Sequence, residues 1–535
     1  MLEYFVITPV MVAVLIYVFF SRQWAKVVAV LAQVGLVVMA GQVFWHVAQT
    51  GETLRRSVGG YTAMMGIGMV ADRLSAMFVL LTTLIFLLAT LYSYRNNHSK
   101  LYWLLFFLWQ ASLLGIFLSG DMFNIFVLTE IATIVVTVLI MYKREDRSMY
   151  DGMIYLVINT VIVQFFLFGV GYLYRMTGTL DIGQMGLRMA YVDRANQILP
   201  YALVMTFVGL KCAMMPMYAW LPKAHGSKGA PSVVSAVLSG LHIKSGLYMY
   251  IRMSELFTAI DGQELFLVIG VVTAVVGVIL AIAQTDIKLM LAYSTVAQVG
   301  LIMVGLNIDV FGSYNYVGAL YHIVNHAVFK AALFMSAGII VHSYHTRDID
   351  QIRGVFRQMP VMATAKILAI LGIIGTPLFN GSVSKYFLMV ELNWLLEGIL
   401  IVVNMGTIII FMKYSVIFFG YAKGPVEKEP LDFMRHGTVI FLSVLCFALG
   451  IFGATIMDLL FGYYVQMNLL GYIQKSLIFA VSLVGGYLIY KSMFTQDNAF
   501  AYFLAWEKKA EMGFRGICFS IAAFFAFVLI VIGFY

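Results

Sequence analysis

Charged side chains are scarce in this chain. Asp, Glu, Lys and Arg together make up 11% of its 535 residues, where a soluble domain carries about 25%, so no segment reads as a soluble domain of useful size. Cysteine is nearly absent as well. Cys212, Cys446 and Cys518 are the only three; they lie in or beside apolar segments without metal-ligand spacing, which argues against a disulfide framework or a structural zinc site. Phosphate loops and dinucleotide fingerprints are missing, so energy for any work has to come from an ion gradient or from a partner. The first apolar segment has no basic stretch ahead of it and no small-residue cleavage site behind it, and reads as a retained helix.

What fills the chain is hydrocarbon. Hydrophobic residues reach 62% and the mean hydropathy is +0.92, which identifies an all-α integral membrane protein. At about 20 apolar residues per span the sequence accommodates about 14–16 transmembrane helices. The runs are continuous and not alternating, which disfavours a barrel. The stretches that matter most below are 121–142, 200–222, 230–252, 314–342 and 359–395; the last is long enough for a broken helix. Two more, 471–491 and 513–534, follow the main body. The chain divides into N-terminal helices (1–100), two five-helix repeats (101–255 and 256–422) and C-terminal helices (423–535). The formal net charge is +8, and Lys and Arg concentrate in the connections after odd-numbered helices, such as YKREDR (142–147) and AKGPVEKEP (422–430). The positive-inside rule makes those connections cytoplasmic and places the N-terminus outside. The surplus charge is therefore topology, and no nucleic-acid partner is expected.

Ionisable residues inside the spans carry the functional information, because each is costly in hydrocarbon unless paired or hydrated. They are Glu130, Lys211, Lys244 beside His242, the trio His322, His326 and Lys330, and Lys385. At about 1.5 Å per residue each lies roughly 10 to 18 Å from a helix end. A lateral row of protonatable groups near mid-membrane is expected to relay protons. Lysine gives up its proton readily when desolvated, and a neighbouring carboxylate restores its affinity. His322, His326 and Lys330 follow one helix face, and histidine passes protons between its two nitrogens. The blander readings are an interhelical ion pair for any single member, and a packing hydrogen bond or zinc site for the two histidines, which lack the carboxylate of an HExxH pattern. Asp72, Arg73, Asp286 and Lys288 read as caps or interfacial anchors. No catalytic, cofactor-binding or metal-ligating residue is expected, and no cofactor.

Prolines sit beside two of these lysines. Pro216 follows Lys211, Pro222 closes the WLP that ends the segment, and Pro377 precedes Lys385 in GTPLFNGSVSK. Unwound backbone at membrane depth is tolerated only inside protein or along a water-filled cavity, and paired broken helices mark transporters built from repeats. Five helices separate the two breaks, an odd number that inverts the second repeat relative to the first.

The stretches LKCAMMPMYAWLPKAHGSKGAPSVVSAVLSGLHIKSGLYMYIR, SGDMFNIFVLTEI, TDIKLMLAYSTVAQVGLIMVGL, YHIVNHAVFKAALFMSAG and GTPLFNGSVSKYFL resemble, in order, the antiporter-like membrane subunits shared by Mrp-type Na+/H+ antiporters, respiratory complex I and membrane-bound hydrogenases. GIGMVADRLSAMFVLLTTL leans toward the D-type subunit of Mrp antiporters. The resemblance implies a fourteen-helix core with two inverted five-helix repeats, two broken helices and two half-channels. It implies that Glu130 pairs with Lys211, that Lys244 connects, that His322 and His326 are the polar residues of the eleventh helix, and that Lys385 is the lysine of the broken twelfth. Lys223 departs from the aspartate common in bacterial members, and the helices beyond about residue 465 exceed the core.

The expected function is a proton-translocating subunit of a multisubunit cation/proton (Na+/H+) antiporter in the cell membrane. Its expected partners are other membrane subunits of a hetero-oligomeric complex, the lipid bilayer, protons, and Na+ at the level of the whole complex, since carboxylates that would bind sodium are few. The rivals are a proton-pumping subunit of a redox-driven complex, a subunit coupling proton flow to inorganic-carbon uptake, and a purely structural paralogue.

Overall fold

The computed structural model describes residues 1–61, 66–96, 98–308, 313–427, 430–494 and 512–534; Lys428 and Glu429 of the basic 422–430 connection lie outside them. Twelve helices among the described residues are long and apolar enough to cross a membrane, and the chain is a multi-pass membrane protein. Contacts divide it into two units.

The first unit begins with α1 (Tyr4–Val18) and α2 (Arg22–Thr50). A short antiparallel hairpin follows, β1 (Leu54–Ser57) with β2 (Gly68–Ala71), Leu54 opposite Ala71. Strands were not expected, and this pair stands between spans. The unit continues with α3 (Arg73–Ser93), α4 (Lys100–Leu118), α5 (Met122–Ile140), α6 (Asp146–Thr177), α7 (Ile182–Met189), α8 (Arg194–Lys211), α9 (Trp220–Gly226), α10 (Ser232–Val237) and α11 (Ile243–Leu256). A π-helical turn, Leu238–His242, joins α10 to α11.

The second unit holds α12 (Gln263–Ala283), α13 (Ile287–Asn307), α14 (Tyr314–Tyr344), α15 (Val355–Gln358), α16 (Pro360–Ile374), α17 (Asn380–Leu388), α18 (Trp394–Ser415), α19 (Phe433–Ile451), α20 (Gly453–Phe461) and α21 (Leu469–Phe494). The last helix, α22 (Phe514–Phe534), returns to the first unit, where it packs on α8 and Ile532 O accepts a hydrogen bond from Arg194 at 2.8 Å.

Short polar side chains start many of these helices. Asp72, Ser99, Asp121, Asp286, Ser313 and Asn393 each accept a backbone N–H of the first turn, which satisfies donors that lipid cannot. Asp72 completes a capping box with Ser75 and binds Arg252 at 2.6 and 2.7 Å; Asp286 caps α13. Lys413 closes the other kind of end, donating to Ile282 O and Gln284 O at 2.7 Å, where the C-terminus of α12 favours a cation.

Candidate proton-transfer site at two helix breaks

Each unit contains a helix interrupted beside a buried lysine, and the two interruptions are built alike. In the first unit α8 stops at Lys211. Ala213 takes a left-handed conformation (φ 52°), its N–H bonds Leu210 O at 2.8 Å, and the next N–H, of Met214, bonds Gly209 O at 2.9 Å. In the second unit α16 stops at Ile374. Gly375 is left-handed (φ 83°), its N–H bonds Gly372 O at 3.2 Å, and Thr376 N–H bonds Leu371 O at 3.0 Å. Both are Schellman terminations, in which the left-handed residue reaches back three positions and its successor five. Pro216 and Pro377 lie in the unwound segments that follow, where the chain cannot resume a helix. Pro222 has a different place from the one the sequence suggested: it sits in the first turn of α9, where proline is tolerated, and so opens a helix instead of closing one.

Matching the terminations aligns the two lysines. Lys211 is two residues before Ala213 and belongs to the last turn of α8, not to the middle of a helix as its apolar flanks suggest. The residue two before Gly375 is Ile373, and its carbonyl accepts a hydrogen bond from Lys385 Nζ at 2.8 Å. One lysine reaches the position along the chain, the other from across the break. At the second break the ammonium stands at the negative end of a half-helix.

The remaining partners of both lysines are neutral oxygens. Lys211 Nζ donates to Asn159 Oδ1 at 2.8 Å and Thr133 Oγ1 at 3.3 Å, and lies 5.9 Å from the Phe207 ring centroid. Lys385 Nζ donates to Asn404 Oδ1 at 2.7 Å. Both lysines are buried. The ion pair expected between Glu130 and Lys211 is not formed. Glu130 instead accepts a hydrogen bond from Gln164 at 3.3 Å; it precedes Thr133 by three residues on α5, so the carboxylate and the hydroxyl that holds Lys211 occupy one helix face. Asn159 and Thr133 take two of the ammonium's three donors, while the carboxylate bonds Gln164.

The histidines extend these arrangements. In the first unit, buried His242 lies between Trp109 Nε1 (3.3 Å from Nδ1) and the Tyr155 hydroxyl (3.1 Å from Nε2). An indole N–H only donates, so Nδ1 accepts and Nε2 carries the proton. Lys244, two residues on, is fully buried in α11. In the second unit, His322 bonds Gln298 Oε1 through Nε2 at 2.9 Å and Ser384 Oγ through Nδ1 at 2.8 Å. Ser384 is the neighbour of Lys385, so His322 reaches the broken helix through one hydroxyl. His326 is buried one turn further along α14, its ring 5.4 Å from that of Phe329. Lys330 donates to Leu291 O at 2.8 Å and Ser294 Oγ at 2.5 Å. Near the second break, Thr376 Oγ1 and the side-chain amide of Asn380 are buried without a protein hydrogen-bond partner, a polarity that water satisfies.

Reasoning from titratable residues at mid-span missed several members. Lys366 is fully buried on α16, donating to Leu333 O and Ser336 Oγ at 3.2 Å each, with its ammonium 4.8 Å from the Tyr414 ring centroid; it sits near the start of the 359–395 stretch and was passed over as flank. Asn159, Gln164, Gln298 and Asn404 carry no charge and give no signal in a search for ionisable groups, although an Asn or Gln inside a span is itself a rarity that could have marked them.

The NADH-quinone oxidoreductase subunit N of Desulforudis audaxviator is 33% identical over 391 residues, which is 70% of this chain and 76% of that one. The D-type subunit of the Na(+)/H(+) antiporter of Alkalihalophilus pseudofirmus is 27% identical over 416 residues, 76% of this chain and 83% of that one. In the solved structure of the membrane-bound sulfane sulfur reductase, an archaeal respiratory membrane complex, one chain shares the fold with a TM-score of 0.80 at 22% identity, over 91% of this chain and 99% of its own. Residues 119–411, which include both breaks with Lys211, Lys244, His322, His326, Lys330 and Lys385, match the transmembrane family of NADH:quinone oxidoreductases and Mrp antiporters; the chain belongs to that family.

Proposed function

We propose that the chain is the proton-translocating subunit of a multisubunit cation/proton antiporter in the cell membrane, working with other membrane subunits. The observation that carries this reading is the repeated one: each break places a buried lysine on neutral oxygens, with a carboxamide as the nearest partner. An ammonium in that setting is held well enough to exist and loosely enough to release its proton, because no carboxylate is hydrogen-bonded to it. A structural ion pair would show the opposite arrangement.

The proposed path is serial. A proton from one side reaches Lys211 and Lys244, passes by way of His322 and His326, with Lys330 on the same helix, to Lys385, and leaves to the other side. Glu130 modulates Lys211 by approaching or leaving it past Thr133, and His322 and His326 move protons between their two nitrogens. Unwound backbone at Cys212–Ala219 and Gly375–Phe379 admits water to the two lysines. The 27% identical antiporter relative supports coupling to a cation, and the cation is expected to bind at the level of the complex.

With the complex reconstituted in vesicles, a pH-sensitive dye reports cation-driven proton movement. Lys385→Ala is expected to lower that movement on the order of a hundredfold, the scale of a lost proton-transfer group, while the complex still assembles; near-parental transport would overturn the reading. The 33% identical NADH-quinone oxidoreductase relative favours a second reading, the same path driven by electron transfer on a partner. Mass spectrometry of co-purifying subunits separates the two: iron–sulfur or nickel subunits point to the redox complex, small antiporter subunits to the first.

A further inference from the structure

Helix α21 lies beyond the fourteen-helix core that the resemblance implies, and it packs chiefly against α18. Little of its surface is buried within the chain. Yet it reaches the second break with three groups. The Tyr472 hydroxyl accepts the backbone N–H of Leu378 at 3.0 Å and shares a hydrogen bond with Ser382 Oγ at 2.8 Å. Leu378 is in the left-handed region (φ 71°), a strained conformation for a leucine that persists only where neighbours fix it. Lys475 forms an ion pair with Glu397 of α18. Asn468 O, just ahead of α21, accepts from the Tyr386 hydroxyl at 3.4 Å.

Between these contacts is an open cavity of about 50 Å³, room for a few waters, lined by Lys385 and Asn404 on one side and by Tyr472, Lys475, Ser476 and Ser482 of α21 on the other. The buried proton-carrying lysine and the half-exposed Lys475 thus share one cavity. Glu397 and Lys475 expose 28% and 24% of their side chains, which places the pair at the rim.

We propose that this cavity is the aqueous outlet of Lys385, and that Tyr472 and the Lys475–Glu397 pair are the positioning residues that hold α21 across it; the assignment rests on reading Lys385 as a proton carrier. When the pair and the Tyr472 bonds hold, α21 narrows the outlet and Leu378 keeps its conformation. When they part, water reaches Lys385, the ammonium gives its proton to that water, and the hydronium leaves while a neutral amine remains on Asn404.

The test uses the assembled complex in sealed vesicles of defined orientation, with Cys518→Ser, since Cys212 and Cys446 are buried. Ser482→Cys is introduced and its modification by a membrane-impermeant methanethiosulfonate is followed by mass spectrometry. Modification is expected from the outer face only, the side to which the charge distribution assigns the connection before α18. Lys475→Gln and Tyr472→Phe are each expected to raise the modification rate about fivefold, the opening shift that follows from losing a half-exposed ion pair or a hydrogen bond, and Lys475→Arg to leave it unchanged. Modification from the inner face, no modification in any variant, or equal rates in parent, Lys475→Gln and Tyr472→Phe would each overturn the proposal. Labelling does not require transport, so the outlet can fail while Lys385 remains essential, whereas normal transport by Lys385→Ala would overturn the reading on which the outlet rests.

Discussion

The two helix breaks share a frame and differ in where they keep a carboxylate. Both end a half-helix with the same pair of hydrogen bonds, to the carbonyls three and five residues back, and both have a buried lysine whose ammonium donates to one asparagine. At the first break Glu130 stands one turn from Thr133, which touches Lys211 directly. At the second, Lys385 has no carboxylate partner among the described residues, and Glu397 is at the cavity rim, paired with Lys475. A carboxylate close to an ammonium sets how tightly it holds its proton; a carboxylate at the rim sets how water arrives. The proposed path therefore assigns two kinds of control, of affinity at Lys211 and of access at Lys385.

The largest effect should fall where the carboxylate is closest. Glu130→Ala is expected to reduce proton-coupled transport in vesicles on the order of a hundredfold, whereas Glu397→Gln should cost only a few-fold, as suits a half-exposed pair. Equal losses would erase the distinction between the two breaks.

Glycines that grip each break come next. A Cβ on Gly381 would lie 1.9 Å from Gly372 O, and one on Gly246 would lie 2.8 Å from the Lys211 carbonyl carbon and 2.9 Å from Cys212 N. Both contacts are with backbone, so Ala at either site forces the break apart at a cost of about 1–3 kcal/mol. Gly381→Ala is expected to lower the detergent-solubilised melting temperature more than Gly246→Ala; the reverse order would show the second break to be the more yielding.

Intermediate effects on transport concern the carboxamides, where symmetry is expected. Asn159→Leu and Asn404→Leu should each lower transport about tenfold, the consequence of leaving a buried ammonium one hydrogen bond short. Thr133→Val should lower it about threefold, because its bond to Lys211 is longer and Asn159 remains.

Much of this was legible from residues alone. Long apolar runs fixed the membrane setting, and the 359–395 stretch, too long for one span and carrying Pro377, resolved into α16 and α17. Lysines and histidines drew attention because hydrocarbon makes them expensive. What hid was the hydrogen-bond geometry. Lys211 precedes its proline and Lys385 follows its own, which made the two breaks look unlike; the terminations at Ala213 and Gly375 align them only once backbone bonds are known. Asn159 and Asn404 were invisible because a carboxamide does not titrate, and the Glu130–Lys211 contact was misjudged because Thr133 and Asn159 compete for the same ammonium. Tyr472 lies 87 residues after Lys385 in the chain, and no local pattern connects them.

The central claim is that the two lysines act in series on one proton path. It is tested most directly by comparing Lys211→Met, Lys385→Met and the double variant in the same vesicle assay of cation-driven proton movement, with assembly checked for each. The account predicts that either single substitution removes transport and that the double is no worse. Single variants that each keep about half the parental rate, with only the double inactive, would mean two independent routes and would contradict it.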